Sequence, residues 1–180
     1  FEAGGHNGRE ETTTLALIPA VAQAIDLPLV AAGGIASGRS ILAAQSLGAE
    51  GVQIGTLFAL SEESSAHAAF KEACVKSDEG DTILTLKELA PTRLLKNEFY
   101  QQVATLQARG ASADELRELL GRARAKRGIF EGDLDEGELE IGQVAAQIEE
   151  VQPVAQIFDQ LIAEYNAARA ELIDMNWTNC

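Results

Sequence analysis

Seven residues near the start of the chain, Glu2-Ala-Gly-Gly-His-Asn-Gly8, place a histidine among glycines. Glycine neighbours offer no side-chain wall, so the His6 ring is expected to project rather than to pack in a core. An imidazole titrates near neutral pH and can take or give a proton. Such a ring at a strand end suits acid–base chemistry; a solvated turn histidine is the equally open alternative. Two further stretches, Ala32-Gly-Gly-Ile-Ala-Ser-Gly38 and Gln53-Ile-Gly-Thr56, each follow a short apolar run. Glycines at strand ends let backbone N–H groups approach an anion closely, and a helix opening near Gly38 would aim its positive end at the same place. Two consecutive strand–glycine units are what a phosphate site after neighbouring parallel strands requires. The competing reading is a pair of tight turns that hold nothing.

The elements that must position these residues follow from periodicity. Ile25-Asp-Leu-Pro-Leu-Val-Ala-Ala32 is expected to be a strand buried on both faces, as in parallel sheets. Pro19 to Ile25 is expected to be a short helix with Pro in its first turn. Ser37 to Leu47 predicts a helix with Ile41, Ala44 and Leu47 on one side and Gly48 as its stop. Gly51 to Gly55 is a second strand, so the order implies parallel pairing by crossovers. Beyond about residue 60 the pattern turns mostly helical. Ser61 to Cys74 and Arg93 to Ala108 are expected helices, the second with Leu95, Phe99, Val103 and Leu106 aligned. Ser112 and Glu115 form a capping-box pattern, Ile141, Val144 and Ile148 share a helical face, and Pro153 opens a last helix bearing Val154, Ile157, Phe158, Leu161 and Tyr165. The expected organisation is therefore residues 1–60 as one α/β unit and residues 61–180 as a mostly helical region packed on it. The chain opens Phe1-Glu2-Ala3 straight into a glycine loop, which resembles the end of a buried strand and suggests that a preceding part is missing.

Composition narrows the classes. The net charge of −14 argues against nucleic-acid binding, which needs a neutralising basic surface. No apolar run approaches a membrane span and no signal pattern is present, which reads as cytoplasmic. Cys74 and Cys180 suggest neither a disulfide nor a zinc framework, and no metal site is expected. The loop Asp133-Leu-Asp-Glu-Gly137 has its glycine at the fifth rather than the sixth position of a calcium loop, and Val144 stands where the twelfth-position acid is needed. Arg122, Arg124, Lys126 and Arg127 are expected to be a solvated helix end, with docking of a phosphate-bearing cofactor or an acidic carrier protein the minor reading. His67 is expected at the surface and Cys74 buried and inert. Asn176-Trp-Thr178 fits a glycosylation sequon, without meaning in a cytoplasmic protein.

Taken together and in order, Glu-Ala-Gly-Gly-His-Asn-Gly8, Ala-Ala-Gly-Gly-Ile-Ala-Ser-Gly38 and Leu-Gly-Ala-Glu-Gly-Val-Gln-Ile-Gly-Thr56 resemble the nitronate monooxygenase and flavin-dependent enoyl-acyl-carrier-protein reductase family. Thr92 to Asn97 and Glu140 to Ala145 are similar to its C-terminal region. The resemblance implies the C-terminal part of a (β/α)8 TIM barrel, strands six to eight, with flavin mononucleotide (FMN) as cofactor. It implies that His6 is catalytic and that Gly5, Ala32, Gly33, Gly34, Gln53, Gly55 and Thr56 bind the cofactor. Two substrates fit: an alkyl nitronate oxidised with oxygen, or an enoyl thioester reduced at the expense of NAD(P)H. A non-catalytic helical interaction module is the alternative from another class, and a homodimer is compatible with the apolar stripe of the last helix.

Overall fold

The computed structural model describes residues 3–8 and 12–174; Cys180 and the sequon lie outside them. Helix α1 (Thr14–Ala24) leads to strand β1 (Val30–Ala32), helix α2 (Gly38–Ser46), strand β2 (Gly51–Gln53) and a single turn, α3 (Thr56–Ala59). β1 and β2 pair in parallel, Ala32 opposite Gln53. The chain is thus α/β, with a parallel pair joined by a helical crossover.

Two expectations here need correction. Pro19 lies inside α1 rather than in its first turn. The proline offers no N–H to the Leu15 carbonyl one turn back, but Leu15 is exposed, so water can satisfy it. β1 is also only three residues long and is covered on one face. Leu29 and Ala31 pack against Ile18 of α1 and Ala44 of α2, while Val30, on the opposite face, is 57% exposed and Leu27 is 72% exposed. Alternation along the strand sends Val30 to the side away from Leu29 and Ala31, and its side chain is left largely open to solvent.

The α2 prediction matches closely. Ser37 caps it, accepting from the Ser40 amide in a reciprocal capping box, and Gly48 ends it at φ +106°. This helix lies directly against α7 (Val154–Asp174). A Cβ at Gly38 would sit 2.1 Å from the Tyr165 nitrogen and 2.5 Å from the Leu161 oxygen, so only glycine permits this approach.

Between them the chain builds α4 (Ala68–Val75), an antiparallel hairpin of β3 (Thr82–Thr85) and β4 (Thr92–Leu95), then α5 (Glu98–Ala108) and α6 (Ala113–Leu120). The helix expected from Arg93 starts only at Glu98, capped by the Asn97 side chain on the Tyr100 amide. The preceding residues are strand because β4 lies between two cores. Leu94 packs with Leu86, Phe99, Val103 and Leu116, whereas Leu95 packs with Phe70, Cys74, Leu139 and Ile148. The helix expected at Ile141 to Ile148 is instead a short 3₁₀ segment (Gln143–Gln147), although all three apolar residues are buried as the pattern required. The capping box at Ser112 and Glu115 is present.

One buried cation holds the loop after α3. The Lys71 ammonium donates to the carbonyls of Ser61, Glu62 and Ser64 at 2.6, 3.2 and 2.9 Å. The neighbouring Glu63 carboxylate accepts the Val154 amide at the start of α7. Among the described residues no helix is long and apolar enough to cross a membrane.

Candidate functional site

β4 is the element that sequence periodicity hid, and it organises the site. Its outer edge receives two separate segments. The Arg93 amide donates to the Gly5 carbonyl at 2.7 Å, and the Arg93 carbonyl accepts from the Ile141 amide at 3.2 Å. His6 thereby pairs opposite Thr92, and Glu140 opposite Leu94. Thr92 and Leu94 are two residues apart and share a face of β4, so their cross-strand partners share it too. A further bond, Gln143 N–H to the Ala3 carbonyl at 2.8 Å, ties the same segments together. The outcome is a hydrogen bond between His6 Nδ1 and the Glu140 carboxylate across 134 positions of sequence. Gly5 leaves the room for it: a Cβ there would lie 2.8 Å from Glu140 Oε1.

His6 and all seven expected cofactor residues, Gly5, Ala32, Gly33, Gly34, Gln53, Gly55 and Thr56, line one open cavity of about 330 Å³. Gly4, Ile35, Ala59, Glu140, Ile141, Gly142 and Val144 complete it. The C-terminal region therefore supplies one wall of the site and does not stand apart as a separate module. Ala32 and Gln53 enter it from the β1–β2 face opposite the α1 and α2 helices, as cross-strand partners.

The cavity suits an anion held by backbone. Gly33 and Gly34 adopt φ of 93° and 72°, a left-handed conformation that branched residues resist. Among the described residues the Gly34 and Gly55 amides donate to no protein acceptor, and a Cβ at Gly55 would meet nothing within 4 Å. Thr56 Oγ1 accepts the Gly142 amide at 3.0 Å and keeps its own hydroxyl proton to donate. Among the described residues no lysine or arginine lines the cavity. The start of α2, in contrast, is already engaged. Gly38 N–H donates to the Glu164 carboxylate at 2.8 Å and the Ser40 amide to Ser37, so that helix end is satisfied by protein groups.

Electrostatics around His6 are acidic. Burial raises the Glu138 carboxyl above its ordinary range and the Glu140 charge adds to it, while His6 and Arg124 pull the other way. In the basic cluster Arg122, Lys126 and Arg127 are exposed as expected, and Arg124 alone is drawn in. Arg124 lies 4.5 Å over the Phe99 ring, donates to the Leu119 and Leu120 carbonyls ending α6, and pairs with Glu136. Lys126 pairs with Glu131, and Arg127 with Asp133. Asp133 also accepts the Glu136 amide, which commits that loop to its own turn. His67 is exposed as expected, but it caps α4 by accepting the Ala69 amide rather than lying within the helix. Cys74 is fully buried, and burial pushes its thiol up to about 12.

The nitronate monooxygenase family model matches residues 1–164. The chain belongs to this family. A probable nitronate monooxygenase of Staphylococcus haemolyticus is 44% identical over 110 residues, covering 56% of this chain and 31% of that protein. The structure of FabK from Thermotoga maritima superposes with a TM-score of 0.86 at 37% identity, covering 95% of this chain and 54% of that one. Nitroalkane oxidase from Streptomyces ansochromogenes gives 0.72 at 32% identity, covering 94% and 51%. The chain thus spans about a third of that curated relative and about half of these solved family structures.

Glu140 and Gly142 line the site, and sequence reading assigned neither a role in it. The stretch from Glu140 to Ala145 resembles the family's C-terminal region, yet nothing in it signals that a carboxylate there would meet a histidine at the other end of the chain.

Proposed function

We propose that this chain forms the phosphate cradle and the acid–base wall of an FMN-dependent oxidoreductase that oxidises alkyl nitronates with oxygen. The observation that supports it is the convergence of His6 and the two glycine blocks on one cavity. Residues 1–60 would then hold the sixth to eighth strands of an eight-stranded barrel, with β1 and β2 the last two, and residues 61–180 would pack on it. The amides of Gly34 and Gly55 with the Thr56 hydroxyl would hold the single phosphate through backbone and hydroxyl dipoles. Gly5, Ala32, Gly33 and Gln53 would border the rest of the cofactor.

When bound, the flavin would take electrons from the substrate and pass them to oxygen. The chain supplies position and proton handling. His6, 65% exposed at its side chain, would hydrogen-bond the nitronate oxygens, or take the α-proton of a bound neutral nitroalkane onto its ring nitrogen to give the nitronate. A second reading, NAD(P)H-dependent reduction of an enoyl thioester of an acyl carrier protein, is favoured by the better superposition on FabK than on nitroalkane oxidase. His6 would there give a proton to the carbon that does not receive hydride. The exposed Phe158, Ile162, Leu172 and Ile173 of α7 are where a homodimer contact would form.

Anaerobic titration of the flavin-loaded, full-length enzyme separates the two. Bleaching by propyl nitronate, with turnover on admitting air, is the expected result; bleaching by NADH and reoxidation by a crotonyl thioester would transfer the assignment to the second reading. His6→Ala should keep the flavin and lose about 10²- to 10⁴-fold in turnover, the usual contribution of a general acid–base group. A loss under about tenfold would make His6 a bystander.

A further inference from the structure

We propose that Glu140 is a positioning residue that holds the His6 imidazole as its Nδ1–H tautomer, so that Nε2 is the nitrogen left for the substrate. The inference rests on the reading of His6 as the acid–base group of this site. A carboxylate can only accept, so a ring nitrogen bonded to it must carry the proton. In a neutral imidazole the other nitrogen is then the acceptor. The contact is built into the fold rather than made by two wandering surface chains. Arg93 bonds the backbones of both segments, and Glu140 is only 21% exposed. The absence of a side chain on Gly5 keeps the carboxylate against the loop that carries His6.

The surroundings sharpen the assignment. Glu138 also faces this region from the same segment, yet among the described residues no hydrogen bond joins it to His6. Arg124, the nearby cation acting on Glu138, is committed to Glu136 and the end of α6. Glu140 is therefore the group that sets the ring. Because it approaches from Nδ1, it fixes the direction of the imidazole as well as its tautomer. In this role its effect passes through His6, the ring it holds.

The test uses flavin-loaded, full-length protein labelled with nitrogen-15 histidine, the His6 signals being assigned by their loss in His6→Ala. Above the imidazole titration, the wild type should show a protonated Nδ1 and an unprotonated Nε2. Glu140→Met, which keeps length and removes the acceptor, should mix the tautomers. It should lower kcat, measured at saturating flavin, by about 10- to 100-fold, the scale of a lost hydrogen bond to a charged group. Glu140→Gln can accept or donate, and should fall between the two. A wild-type His6 protonated at Nε2, or a Glu140→Met protein with unchanged tautomer, overturns the proposal. If His6→Ala keeps its turnover, the acid–base reading of His6 fails, whereas the nitrogen spectra still decide whether Glu140 sets the ring.

Discussion

The β1–α2–β2 unit and the β3–β4–α5–α6 unit solve opposite problems. In the first, the working positions are glycines, and what counts is the space they leave. Gly38 admits the α7 backbone, Gly34 turns left-handed, and Gly55 opens onto the cavity. In the second, what counts is what the side chains fill: Leu94, Phe99, Val103 and Leu116 are fully buried in one cluster. The units should therefore fail in opposite directions. Truncation should damage the second and enlargement the first.

The largest effect is expected from Phe99→Ala, which empties the second cluster and removes the ring under Arg124. A loss of about 3–5 kcal/mol is expected by denaturant titration, from lost transfer energy plus the cavity left behind. Gly38→Ala comes next. One methyl group would have to push α7 backbone aside, at a cost of about 1–3 kcal/mol. The counter-experiment is Leu27→Ala, just before β1 and exposed, which should change the stability of this 180-residue chain by no more than about 0.5 kcal/mol. If Leu27→Ala costs as much as Phe99→Ala, the contrast between the units is lost.

The smallest effect sharpens the electrostatic side of the comparison. Glu138 has its carboxyl raised by burial and by Glu140. The folded state then holds its proton to higher pH than the unfolded state does. The strain is absent below the usual carboxylate range and grows as pH rises through the raised value. Glu138→Gln should consequently raise Tm slightly at pH 7 and leave it unchanged near the bottom of that range. A Tm that falls at pH 7 would mean that the attractions to His6 and Arg124 outweigh burial.

The two units also differed in how plainly the sequence announced them. Glycines at strand ends, the Ser37 cap and the Ser112–Glu115 box are local devices, and a local device can be read from neighbouring residues. β4 could not be read that way. Leu95, Phe99, Val103 and Leu106 fall at helical spacing because the strand and α5 feed adjoining cores. Leu94 and Leu95 are both buried, so the strand lacks the alternation that would have marked it. Asn97, followed by Glu98 in the first turn, was the available sign that the helix begins there. The contact of His6 with Glu140 was beyond any local rule, since it exists only once Arg93 has bonded both segments. β1 misled for a related reason: an apolar run shows that burial is sought on both faces, whereas Val30 is largely exposed and Ala32 borders an open cavity.

Lys71 carries a consequence for how the loop after α3 responds to its surroundings. Three carbonyls around one cation are an arrangement that a dissolved ion could also satisfy, but a dissolved ion comes and goes with its concentration. Here the ion is tethered to α4 through its own side chain and is 7% exposed. Dialysis cannot remove it, and added salt screens a buried contact only weakly. The turn from Ser61 to Ser64, which also brings Glu63 to the start of α7, should keep its shape from dilute buffer to brine.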